Sequence, residues 1–150
     1  PFPDNVQRLA VVSANDRDYY FGPSQRGDNV TSLYEVNNLG NAHAAFEPKV
    51  PEDGYTTSFG LASSKDTVIF SSYVVGMGVE IIQTAFTQSC LTVLDIRRGP
   101  ETSIPTHFLV HGDMLFFAAD DGKSGNELWR YKPVEPMTCT PTFLPIVKVQ

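Results

Sequence analysis

Met114-Leu115-Phe116-Phe117-Ala118-Ala119 and Glu127-Leu128-Trp129-Arg130-Tyr131 read as two strands, with Asp120-Asp121-Gly122-Lys123-Ser124-Gly125-Asn126 as the loop between them. Aromatic and aliphatic runs of this length, parted by Gly, Asp, Asn and Ser, carry the signal of a β-hairpin. The arrangement occurs twice more. Thr67-Val68-Ile69-Phe70 precedes Glu80-Ile81-Ile82-Gln83-Thr84, and Asp18-Tyr19-Tyr20-Phe21 precedes Ser32-Leu33-Tyr34-Glu35-Val36. Phe21, Phe70 and Phe117 lie 49 and 47 residues apart, and Leu33, Ile81 and Leu128 lie 48 and 47 apart. A near-constant period in this range marks a propeller or a solenoid.

Working outward, each hairpin gains a flanking strand on either side. In the third unit, residues 100–150, the strands are expected at Thr106 to Val110, Met114 to Ala119, Glu127 to Tyr131 and near Pro141 to Val147. In the second, residues 51–99, they are Ser58 to Leu61, Thr67 to Ser71, Glu80 to Thr84 and Leu91 to Ile96. A turn is expected at Ser63-Ser64-Lys65-Asp66. In the first, residues 3–50, they are Arg8 to Val12, Asp18 to Phe21, Ser32 to Val36 and about Ala44 to Pro48, with a turn at Ser13-Ala14-Asn15-Asp16. Pro- and Gly-rich joints punctuate the units. No stretch of helix length has a 3.6-residue apolar period. The fold class is therefore all-β: three propeller-like blades of four antiparallel strands in one repeat region. Phe21, Phe70 and Phe117 are expected in equivalent core positions, with Leu33, Ile81 and Leu128 on the neighbouring strands.

The run Leu115 to Trp129 resembles the ELWxxDGT repeat family, whose units read as an aromatic strand, a DGxxG loop and then Glu-Leu-Trp. Asp121-Gly122-Lys123-Ser124-Gly125 and Glu127-Leu128-Trp129 carry the likeness, while Tyr131-Lys132-Pro133 stands where the family has its DGT. The second unit keeps Glu80-Ile81-Ile82 and the first keeps Leu33-Tyr34. The resemblance implies propeller-forming repeats of large secreted or surface proteins, and it brings no activity with it.

Propellers usually close with about four to eight blades. Three leave open sheet edges and uncovered apolar faces, which invite pairing. The expected resolution is a larger propeller, completed by other protein chains or by copies of this one.

Composition narrows the function classes. The 150 residues are 41% hydrophobic and 19% charged, which suits one ordinary domain and not a disordered chain. The net charge of −6 argues against nucleic acid, whose phosphates call for clustered Lys and Arg. It argues equally against anionic membrane surfaces. No apolar run is long enough to span a bilayer as a helix. A start at Pro1 suits a processed or excised piece, so the lack of a leader says nothing about compartment.

Few residue patterns carry chemistry. Arg26-Gly27-Asp28 resembles the integrin-binding tripeptide, a guanidinium and a carboxylate on a flexible Gly, in a polar loop where it would be presented to a cell-surface receptor. Gly and Asp are also ordinary turn formers at that place. Asn29-Val30-Thr31 is a glycosylation sequon in a secreted chain, and a glycan on Asn29 would crowd Asp28. Asp120 and Asp121 offer hard oxygens for Ca²⁺, although an acidic β-turn explains them without an ion. No other cofactor is implied. Cys90 and Cys139 lack zinc spacing and read as disulfide partners or buried thiols. His107 and His111 would need a helix to share a metal, because in a strand four residues span about 13 Å. No nucleophile elbow, phosphate loop or dinucleotide fingerprint is present.

The resulting expectation is a non-catalytic, secreted or cell-surface structural module that binds other proteins within a larger assembly. One alternative is an integrin-type adhesion ligand acting through Arg26, Gly27 and Asp28. Another is a fragment of a propeller hydrolase or lyase, completed by further blades.

Overall fold

The computed structural model describes residues 11–14, 16–23, 30–49, 60–85, 90–133 and 147–149. These form three four-stranded antiparallel sheets, and no helix occurs among the described residues. Sheet 1 comprises β1 (Val11–Ala14), β2 (Arg17–Pro23), β3 (Thr31–Val36) and β4 (Ala42–Phe46). Sheet 2 comprises β5 (Leu61–Ser64), β6 (Thr67–Val74), β7 (Gly78–Ala85) and β8 (Cys90–Leu94). Sheet 3 comprises β9 (Thr106–His111), β10 (Met114–Asp120), β11 (Asn126–Tyr131) and β12 (Val147–Lys148). Within each sheet every strand pairs with its neighbours in sequence, so each is a simple meander.

The opening hairpins close more tightly than their composition suggests. Ala14 pairs with Arg17, Ser64 with Thr67 and His111 with Met114, which leaves two residues for each turn. Two-residue hairpin turns need left-handed backbone, and φ is 57° at Asp16, 47° at Lys65 and 61° at Gly112. Two strands differ from expectation as a result. β1 runs on through Ser13-Ala14 and β5 through Ser63-Ser64, where turn composition predicts four-residue turns. The reason is cross-strand pairing: Ser13 Oγ donates to Asp18 Oδ1 at 2.6 Å, and Thr67 Oγ1 donates to the Ser64 carbonyl at 2.8 Å. Small hydroxyl side chains are turn formers in isolation, but they pair well on a ladder.

The sheets stack face to face, and two apolar cores lie between them. Tyr19, Leu33, Phe21 and Phe46 of sheet 1 meet Val68, Phe70, Ile82 and Val93 of sheet 2. On its other side sheet 2 lays Ile69, Ile81 and Leu94 against Leu115, Phe117, Trp129 and Tyr131 of sheet 3. Sheet 2 is thus covered on both faces, which explains the unbroken apolar run Val68-Ile69-Phe70. β10 has one covered face, and its burial alternates residue by residue. Backbones of neighbouring sheets come closest along their first strands, with β1 against β5 and β5 against β9.

The expected equivalence of the phenylalanines needs one correction. Phe70 and Phe117 are the fourth residues of β6 and β10, but the fourth residue of β2 is Tyr20. Phe21 lies one place further on and faces the opposite way. It meets Phe70 across the first core, with ring centroids 6.1 Å apart in an edge contact. A slip of one residue in a strand exchanges its two faces. Leu33, Ile81 and Leu128 are equivalent, as expected. They pair with Phe21, Ser71 and Ala118, each the fifth residue of its strand.

The connector from sheet 2 to sheet 3 crosses closely over the start of β7. Gly78 has φ of 76°, and a Cβ there would lie 2.8 Å from the Glu101 carbonyl and from Thr102 N. Gly78→Ala is therefore expected to cost about 2–3 kcal/mol, from left-handed strain plus a backbone collision. Urea denaturation measures it, and a cost under about 0.5 kcal/mol would contradict this packing.

Candidate functional site

Several residues singled out in the sequence lie outside the described residues: Arg26, Gly27, Asp28, Asn29 and Cys139. Cys90 opens β8 opposite Ala85, and its side chain is likewise not described. Asp120 and Asp121 are described, and both act as turn formers. Asp120 Oδ1 accepts from Gly122 N at 2.7 Å, and its Oδ2 stands 3.6 Å from Arg97 Nη1. Asp121 Oδ1 accepts from the amides of Lys123 and Ser124, both at 2.9 Å. The two amides hold the Asp121 carboxyl below its ordinary pKa. Among the described residues, no group of three or more His, Cys, Asp or Glu could hold a metal ion. His107 occupies a bulge in β9, with φ of 56°, where the pairing with β10 shifts register.

The chemically unusual groups are buried between or beside the sheets. In sheet 1 Glu35 is 5% exposed. Arg17 Nη1 donates to its Oε1 at 2.5 Å and Tyr19 OH donates to its Oε2 at 3.0 Å. His43 Nε2 lies 3.7 Å from the same carboxylate. Burial, and then the Glu35 carboxylate, push the Tyr19 hydroxyl well above the ordinary tyrosine pKa. Between sheets 2 and 3, Tyr131 OH donates to Gln83 Oε1 at 2.5 Å. Such bonds align one sheet on the next, because a buried polar atom without a partner is costly.

The densest cluster surrounds Glu80 at the start of β7. Glu80 has no solvent exposure. Its Oε2 accepts from Ser103 Oγ at 2.8 Å and from Ile96 N at 3.0 Å. Ser103 also stitches the sheets through its backbone. Its N–H donates to the Val79 carbonyl at 3.2 Å, and its carbonyl accepts from Asp120 N at 2.9 Å. In the sequence Glu80 is legible only as the first residue of Glu80-Ile81-Ile82, and nothing local distinguishes it from an exposed strand end.

The outward face of sheet 3 is the remaining feature. Leu109, Leu128 and Val147 are 62%, 49% and 47% exposed, and Phe116 and Met114 beside them are half-buried. Leu109 pairs with Phe116, and Arg130 lies between Phe116 and Val147. No protein-family model matches the chain. No curated protein matches it at a significant level.

Proposed function

We propose that the chain is a non-catalytic structural and protein-interaction module of a secreted or cell-surface assembly, in which further sheets continue its stack toward a closed propeller. One observation carries the reading. At a single repeat position Leu33 is 1% and Ile81 0% exposed, each covered by the sheet that follows, whereas Leu128 is 49% exposed. The complementary surface has a definite chemistry. It is a four-stranded sheet with aliphatic and aromatic residues where sheet 2 has Val68 and Phe70 and sheet 3 has Leu115 and Phe117. Exposed apolar faces of this kind mark interaction sites.

Light scattering in solution, combined with intact mass before and after reduction and deglycosylation, tests the reading. The expected result is an assembly larger than the 16.5 kDa chain that Leu128→Glu dissociates while circular dichroism stays β-rich. A lone, unglycosylated, thiol-bearing monomer insensitive to Leu128→Glu would overturn it.

A further inference from the structure

Three buried polar atoms without a hydrogen-bond partner stand in one row of sheet 2: Ser72 Oγ, Glu80 Oε1 and Asp95 Oδ1. Ser72 and Glu80 are cross-strand partners on β6 and β7. Asp95 follows Leu94, the partner of Ile81, and so continues the row past the end of β8. Ser72 is 1% exposed and Glu80 not at all. Buried polar atoms are normally paired, and each exception calls for a reason. Neighbouring carboxylates removed from water also resist carrying two charges. No Lys or Arg among the described residues pairs with Glu80.

We propose that Glu80 holds a proton on Oε1, beside Asp95, and that this proton clasps sheet 2 to sheet 3. The proton comes from solvent and rests on Glu80 Oε1, which then donates toward Asp95 Oδ1. Oε2 stays an acceptor for Ser103 Oγ and Ile96 N, so the Ser103 stitch is kept. Loss of the proton leaves an unpaired buried charge on Glu80 beneath the connector and strains the stitch from Val79 through Ser103 to Asp120.

The charged surroundings are few. Asp95 is the near neighbour, and β6 contributes only Ser72 to the row. On the connector Arg97 is engaged with Glu101, and it also faces Asp120 at the end of β10. Burial raises the Glu80 pKa to about 7, and Asp95 acts in the same direction, while the bonds from Ile96 and Ser103 oppose it. Because the folded-state value lies above the ordinary 4.5, the folded chain holds the proton longer than the unfolded one. The clasp is complete below about pH 4.5 and is lost as pH rises through about 7.

Glu80→Gln tests the proposal, since its amide supplies a permanent donor in place of Oε1–H. The measurements are urea midpoints from pH 4.5 to 8.5, pH-corrected exchange of the Ser103 and Asp120 amides, and fluorescence of Trp129, the single tryptophan, in the adjoining core. Wild-type protection at Ser103 and Asp120 is expected to fall about tenfold or more above pH 7.5, while Glu80→Gln stays protected with a flat profile. Asp95→Asn, which removes the neighbouring charge, is expected to move the wild-type transition to lower pH, and it serves should Glu80→Gln not fold. A flat wild-type profile, or the same slope in Glu80→Gln, would overturn the proposal. Restoration of wild-type protection at pH 8 by calcium chloride would overturn it too, by placing a cation where the proton is assigned.

Discussion

Phe70→Ala is expected to lower stability by about 3–5 kcal/mol. Phe70 has no solvent exposure and sits midway along β6, the second strand of the doubly covered sheet. Its ring meets Phe46 at 5.1 Å and Phe21 at 6.1 Å, both edge-on. Truncation removes the apolar transfer term, two aromatic contacts and the packing of the first core. The cavity has little means of collapsing. Sheet 2 cannot shift toward sheet 1 without parting from sheet 3, because Ile69 and Ile81 hold its other face. Phe70→Leu, which keeps most of the volume, is expected to cost about 1–2 kcal/mol. Urea denaturation with a constant m-value measures both. A loss under about 1 kcal/mol for Phe70→Ala would mean that sheets 1 and 2 do not pack on each other in solution.

The second large effect is a contrast at one repeat position. Leu33→Ala and Ile81→Ala are expected to cost about 2–5 kcal/mol each, and Leu128→Ala less than about 1 kcal/mol in the isolated chain. The three residues have the same partner position on the neighbouring strand and similar chemistry. They differ in what lies above them. The following sheet covers the first two, and Leu128 is half exposed. Denaturation of all three variants in one buffer checks the series. In an assembly that covers sheet 3, the Leu128→Ala cost should climb toward the other two. An equal cost in a dilute monomer would show that the chain covers that face itself.

The third unit is the most legible part of the fold. The strands from Thr106 to Tyr131 agree with the sequence to within a residue because exposure alternates residue by residue along β9 and β10, and that period is written in the chain. The first unit is harder. Matching Phe21 to Phe70 sets a spacing of 49 against 48 for Leu33 and Ile81, and that one-residue disagreement is the trace of exchanged faces. The early turns read too long because Ser13 and Ser63-Ser64 have turn chemistry, and their cross-strand partners are chosen only by register. The Glu80 site is the hardest. A Glu at the start of a strand is ordinary, and its burial depends on Ser103 and Ile96 arriving from the next connector.

By itself the sequence determined that this chain makes four-stranded antiparallel meanders, three in succession. Period-two patterning, turn residues and a repeat of about 48 residues are local or translational signals, and short-range sterics and pairing respond to them directly. Only the tertiary structure decided which faces are covered, which of Leu33, Ile81 and Leu128 stays open, and that Glu80 loses its water beside Asp95. Those outcomes rest on desolvation by segments distant in the chain. A residue's own neighbours in sequence do not set how much water reaches it.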